Sequence, residues 1–375
     1  MKAFLDHIRH RPIYRIGAIY LAIAWLLMQI TVSIEAPLSL PSWADTLVIV
    51  ILAIGFPVAL LLAWAGEHKR AELAAAPHSA AAGPGTQSTS AVQQQQSDIR
   101  FCTTPSGHRL AYSRAGSGFP VLRTGNWLSH VGMDRKLAVF SHMYRDFSQQ
   151  FELICYDGRG TGLSDRDVEL FSLETMVEDM EAVADANGLD KFAILAFSQS
   201  CAVAVAYAAR HPDRVTHMVF FGGFIRNFRP QEEIDAMATL FERSWGQTNP
   251  GTRQIFTTAL FPDAGKREID DFNELQRLSV SPQNAARLFR AAHAIDVREE
   301  ARRVSVPTLV MHSRDEEGVS MELGREIASL IPNSRFVVLE SKNHIILEHE
   351  PAYQQFLDEA VSFINSGVSK DTRDA

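Results

Sequence analysis

Ser198 stands where an apolar run, KFAILAF, gives way to an alanine-rich helical run, SQSCAVAVAYAARHP. On a tight strand-to-helix turn a serine hydroxyl is pushed into the open. The positions two before and two after it must be small because the backbones crowd, and here they are Ala196 and Ser200. The helix N-terminus behind such a serine also favours developing negative charge. A serine hydroxyl is a weak nucleophile, so it needs a base, and the base needs an orienting acid. On a parallel sheet with this turn, the acid and then the histidine follow the serine in the chain. His344 lies in SKNHIILEHEP, after the apolar run SRFVVLE and before the helical run AYQQFLDEAVSFI, which is where such a base belongs. The acid is expected in HSRDEEGVS, after PTLVMHS, where Asp315, Glu316 and Glu317 compete. Spacing of three from the small Ser313 points to Glu316; Asp315 is one position away and is the commoner residue type for the role, so both stay candidates.

These residues need a scaffold, and its pattern runs from about Ile99 to Asn365. RLAYSRAG, PVLRTG, FELICYD, KFAILAF, VTHMVFFGG, PTLVMHS and SRFVVLE read as strands, with SLETMVEDMEAVADANG and CAVAVAYAARHP as helices of 3.6-residue period. Alternating strands and helices predict an α/β fold, a mostly parallel sheet with helices on both faces. Between Arg226 and about Arg302 the strand signal disappears and EEIDAMATLFERSW, EIDDFNELQRL and PQNAARLFRAAHAI take over, predicting a helical lid over a pocket. Its Phe241, Trp245, Phe256, Phe261 and Phe289 could line a lipophilic site or form the lid's own core.

The first 70 residues read differently. Residues 16–34 and 46–65 are uncharged apolar runs, each long enough to cross a hydrocarbon layer of roughly 30 Å as a helix. Lys2, Arg9, Arg11 and Arg15 precede the first run and Lys69 and Arg70 follow the second, whereas the connection EAPLSLPSWAD has no Lys or Arg. The positive-inside rule then places both ends in the cytoplasm, giving a two-span anchor (1–70) at the inner membrane. Ala18 and Ala22, four apart, could pack against another helix, a weak pointer to a homo-oligomer. Residues 71–98 are rich in Ala, Gly, Ser and Gln and read as a flexible linker, and 367–375 as a disordered tail. A net charge of −8 gives no electrostatic reason to expect nucleic acid as a partner. Three widely spaced cysteines form neither a disulfide framework nor a metal site and suit a reducing compartment; Cys201 reads as a small buried helix residue.

Residues 99–366 resemble the α/β-hydrolase superfamily, particularly the bacterial hydrolase domains found alone or fused to signalling modules such as adenylate cyclases. NWLSH at 126–130, YDGRGTGLSDRD at 156–167, AFSQSCAVAVAYAARHPDRV, the acid loop and SKNHIILEHEP carry the likeness in order along the whole domain. The resemblance implies an oxyanion hole formed by two backbone N–H groups, from Gln199 and, by register in Gly125-Asn126-Trp127, from Trp127. Gly158-Arg159-Gly160-Thr161-Gly162 is read as a structural turn braced by Arg159. Both usual elbow glycines are replaced, by Ala196 and Ser200. The expected function is a membrane-anchored serine hydrolase of an ester, thioester, lactone or related acyl substrate, small and lipophilic, needing no cofactor and no metal. A membrane-tethered ligand sensor with a weak or inactive hydrolase fold is the alternative, and a C–C bond hydrolase would share the same three residues.

Overall fold

The protein, as a computed structural model, is described for residues 98–371. The apolar runs at 16–34 and 46–65, Ala18, Ala22 and the linker up to residue 97 lie outside the described residues. Within them, no helix is long and apolar enough to cross a membrane.

Eight strands form one sheet: β1 Asp98–Thr103, β2 Arg109–Ala115, β3 Pro120–Arg123, β4 Glu152–Tyr156, β5 Phe192–Phe197, β6 Val215–Phe221, β7 Thr308–Ser313 and β8 Ser334–Leu339, in the order β1-β2-β4-β3-β5-β6-β7-β8. β1 and β2 pair antiparallel, as do β2 and β4, and every other pairing is parallel. In β5 and β6, side chains of alternate residues enter opposite apolar layers: Phe192, Ile194, Met218 and Phe220 on one face, Ala193, Leu195, Val219 and Phe221 on the other. Both faces are buried, so these strands read as continuous apolar runs without polar alternation.

Helix α1 is Ser141–Gln150, α2 Leu173–Ala186, α3 Ser200–Arg210, with α9 Met321–Leu330 and α10 Pro351–Asp371 near the chain end. α2, α3 and α9 cover the first face through Met180, Val205 and Ile327. α1 and α10 cover the second through Phe147, Phe356 and Ile364. α2 begins at a capping box in which Ser172 and Thr175 exchange side-chain and backbone hydrogen bonds. α10 runs on to Asp371, past the boundary at 366 expected for the domain: residues 367–371 contain no proline to stop it, and only 372–375 lie outside the description.

Between β6 and β7 the chain is helical, with α4 Gln231–Ser244, α5 Gly251–Leu260, α6 Lys266–Ser279, α7 Pro282–His293 and the short α8 Arg298–Arg303. The insertion has its own core, in which Phe241 and Trp245 are fully buried and Phe261 nearly so. Trp127, from the loop after β3, joins it with ring centroids 5.7 Å from Phe241 and 5.5 Å from Trp245.

Candidate active site

The order of the central strands fixes where a site belongs. The chain leaves β3 to form β4 on one side and returns to form β5 on the other, so the loops after β3 and β5 open a crevice at the carboxyl ends of the strands. Ser198 follows β5 there with φ of +56°, a left-handed backbone found at no other non-glycine among the described residues. This strained conformation is the sharp turn that raises its side chain from the sheet. Its N–H donates to Phe221 O at 3.0 Å, tying the turn to the end of β6.

The two replaced glycines have distinct accounts. Ala196 is fully buried in the sheet and adds only a methyl group. Ser200 accepts from Phe197 N at 3.1 Å and donates to Phe197 O at 2.7 Å, and Thr124 Oγ1 donates to Ser200 Oγ at 2.6 Å. A hydroxyl thus pins the turn from inside and joins it to the loop after β3. Asn126 adds a second tie, Nδ2 donating to Phe197 O at 3.3 Å. Gly125 cannot carry a side chain, because a Cβ would lie 2.8 Å from the Tyr156 ring.

His344 is buried in the loop after β8, and its Nδ1 makes a very short contact with Glu316 Oε1. That carboxylate oxygen also accepts from Val319 N at 3.0 Å. Asp315, next door, is exposed, and its N–H donates to Ser341 O at 3.1 Å. The geometry therefore brings Glu316, and not Asp315, onto the imidazole. With Nδ1 facing a carboxylate, Nδ1 carries the proton and Nε2 is left with a lone pair. Burial pushes the Glu316 carboxyl up, but the imidazoles of His344 and His312 outweigh it and hold it below the usual carboxylate range.

His312, which the sequence reading did not single out, is fully buried on β7 with Nε2 2.7 Å from Val319 O and 3.3 Å from Glu316 Oε2. The shorter contact receives the proton, so Glu316 Oε2 has only a loose electrostatic neighbour. The His344 loop is fixed in turn: its N–H donates to Leu260 O at 2.7 Å, Asn343 Nδ2 donates to Glu350 Oε1 at 2.8 Å, and Ser313 Oγ donates to Asn343 O at 2.7 Å. Gly222 keeps φ of +58° beside the imidazole, where a Cβ would stand 3.3 Å from its Cε1.

Trp127 and Gln199 are both buried, and neither backbone N–H is taken by a hydrogen bond among the described residues. They line, with Ser198 and His344, a cavity of about 340 Å³ whose wall is mostly apolar. Phe256 and Phe289 of the insertion face this cavity, whereas Phe241, Trp245 and Phe261 are core. Of the three glycines in the loop after β4, Gly162 has φ of +50° and sits where a Cβ would lie 2.0 Å from Asp157 Oδ2. Buried Asp157 accepts from Val131 N at 3.0 Å and Leu163 N at 2.9 Å, clamping that loop to the one that carries Trp127. Arg159 braces the turn, its Nε donating to Asp179 Oδ1 at 2.8 Å.

Residues 132–351 match the family model of the alpha/beta hydrolase fold. An AB hydrolase superfamily protein of Bacillus subtilis, YisY, is 25% identical over 242 residues, which is 61% of this chain and 86% of that one. The non-heme chloroperoxidase CPO-A1 of Kitasatospora aureofaciens is 25% identical over 71% of this chain and 99% of its own. Among solved structures, the esterase EaEST of Exiguobacterium antarcticum superposes with a TM-score of 0.63 at 21% identity, covering 71% of this chain and 98% of its own, a likeness of fold.

Proposed function

The chain belongs to the α/β-hydrolase fold family, and from that premise we propose that it is a serine hydrolase cleaving an ester, thioester, lactone or related acyl bond. One observation carries the reading: a serine in left-handed backbone at a helix head shares a cavity with an imidazole whose Nδ1 is held by a buried, ionised carboxylate.

In this reading His344 Nε2 takes the proton from Ser198 Oγ as the oxygen attacks the substrate carbonyl, and Glu316 stabilises the imidazolium that forms. The N–H groups of Gln199 and Trp127 meet the oxyanion. The imidazolium returns its proton to the leaving alcohol, thiol or ring oxygen, and an acyl group remains on Ser198. Water, deprotonated by the same Nε2, then releases the acid. The mostly apolar wall favours a lipophilic substrate. The apolar runs at 16–34 and 46–65 would tether the domain to the cytoplasmic face of the membrane, near substrates that partition into lipid.

The test is labelling of the full chain by a fluorophosphonate, with turnover of activated esters, compared between wild type and Ser198→Ala. Labelling and turnover that both vanish in the variant are expected. A folded wild-type chain that neither labels nor turns over any ester would leave the fold as a ligand-binding module. Fractionation of cells expressing the chain with and without residues 1–70 tests the tether: the shortened protein should leave the membrane fraction.

A further inference from the structure

The wall at the end of the cavity formed by α7, the segment Phe224–Arg229 and the loop of Gly318 and Val319 contains a polar atom that the proposed chemistry does not use. His293, the last residue of α7, is more than nine-tenths buried and lines the cavity. Its Nδ1 lies 2.9 Å from Phe289 O, one turn back on the same helix. A carbonyl oxygen only accepts, so Nδ1 carries the proton and Nε2 is a bare acceptor. That Nε2 is closed off even from the cavity's own space and has no partner among the described residues, so a ligand reaches it only by parting the rings around it. Bonding through Nδ1 to its own helix turns the opposite ring edge away from that backbone. The ring is boxed by aromatics, with centroids 4.4 Å from Phe289, 5.6 Å from Phe228 and 5.7 Å from Phe224.

The charges that act on the imidazole are Arg229 and Glu233, which pair with each other, and Arg229 spends a second N–H on Gly318 O at 3.0 Å. Neither supplies a donor to His293. Burial lowers the affinity of the ring for a proton, which keeps it neutral and accepting at pH 7.

A buried acceptor left unpaired is costly, and in a binding cavity the natural partner is a donor on the ligand. We propose that His293 is a substrate-recognition residue: its Nε2 accepts a hydrogen bond from a hydroxyl or amide N–H carried by the substrate away from the scissile bond. The preferred substrate is then an ester or related acyl compound, largely hydrocarbon, with one neutral donor that reaches the aromatic box. This rests on the hydrolase reading above and adds a chemical class to it. A pocket that pairs a substrate hydroxyl discriminates strongly against the analogue lacking it, because the protein atom is then stranded.

The test separates binding from turnover. The full chain carrying Ser198→Ala, which holds an ester without cleaving it, is titrated calorimetrically with ethyl ω-hydroxyalkanoates and with ethyl alkanoates of matched length. At one chain length the hydroxy ester should bind about 10- to 100-fold more tightly. Adding His293→Phe should abolish that preference, and His293→Gln, which retains an acceptor, should restore part of it. In ¹⁵N-histidine spectra of the Ser198→Ala chain, a readout that needs no change at position 293, the Nε2 resonance should move upfield with the hydroxy ester and stay in place with the alkanoate. Equal or absent binding of both esters, an unmoved resonance, or a preference that survives His293→Phe overturns the assignment. Turnover of the same esters by the Ser198 enzyme reports separately: discrimination in binding without turnover retires the hydrolase reading, and turnover without discrimination retires the role of His293.

Discussion

Two sides of one cavity are built by opposite means. On the sheet side each side chain of the proposed catalytic set is held by polar ties: the Ser198 turn by Ser200 and Thr124, His344 by Glu316, and Glu316 by Val319 N. On the insertion side the wall is aromatic, Phe256 and Phe289 among its rings, and its buried His293 nitrogen is left unbonded. Hydrogen bonds are directional and fix a group to within tenths of an ångström, which proton transfer requires. Burial of apolar surface against the rings is non-directional, which suits a surface that only has to accept a class of molecules. In the proposed reading, chemistry and selectivity occupy separate stretches of chain, joined where Leu260 O of α5 accepts from His344 N.

The strongest way to break that division is to attack the sheet side at Glu316. Glu316→Gln keeps the shape but lets the side-chain amide turn the imidazole into the wrong tautomer, and turnover of a simple ester should fall by about 10³- to 10⁴-fold. Asp315→Asn, one residue away and exposed, should change it less than twofold. Steady-state rates with one activated ester decide it, and equal losses would remove Glu316 from its proposed role. Next in size is Gly162→Ala. It places a Cβ in left-handed backbone 2.0 Å from the Asp157 carboxylate, and should cost about 3 kcal/mol of stability, read by chemical denaturation.

Asp157 also gives the sheet side a pH signature. Burial, with the nearby Asp134, pushes its carboxyl up to about 7, against the pull of the N–H groups of Leu163 and Val131. A folded value above the unfolded one means that the folded state holds the proton longer. The resulting stability is fully present below the unfolded value of 3.8 and is lost as pH rises through about 7. Between pH 5 and 7 the change should approach about 2 kcal/mol. Asp157→Asn, with a constant cost for one mispaired N–H, should flatten that stretch of the curve. Glu316, depressed, acts in the other direction and only below its usual value of 4.5, so it does not disturb this window. Denaturation at four pH values suffices, and a slope unchanged in the variant assigns the effect elsewhere.

The two sides also differed in how far they could be read from sequence. The placement of Ser198, His344 and the acid loop around one cavity was legible because strand-to-helix junctions mark them, and their order along the chain is the one the proposed chemistry needs. The choice between Asp315 and Glu316 was not, since adjacent residues of one loop point to opposite sides and only the fold selects one. β1 went unread because Asp98–Thr103 is a short strand abutting a polar stretch, with Phe101 half exposed. α5 went unread because Gly251, Thr252, Ile255, Thr257 and Thr258 are all poor helix formers, and packing against α6 overrides their preference. Yet α5 supplies Ile255, Phe256, Ala259 and Leu260 to the cavity. His312 and His293 gave no local signal. Each is one histidine in an ordinary strand or helix, and its meaning lies in a contact, or a missing contact, with residues remote in sequence.

The smallest expected effect is the one that probes the seam between the two sides. Phe289 touches both: its ring lies 6.1 Å from that of Trp127, whose backbone is a candidate oxyanion donor, and 4.4 Å from that of His293. Phe289→Leu keeps an apolar group and opens part of the cavity without adding a polar atom, so the surrounding helices have little reason to move. If the sheet side holds its geometry independently, kcat for a short ester should stay within about threefold of wild type. The ratio of kcat/KM for a bulky acyl group over a short one should rise by about fivefold to tenfold, the worth of roughly one to two methylenes at about 0.8 kcal/mol of burial each. A fall in short-ester kcat approaching that of Glu316→Gln would mean that Trp127 depends on the insertion for its placement. The aromatic wall would then be part of the catalytic apparatus, and the polar ties of the sheet side would be insufficient by themselves to hold it.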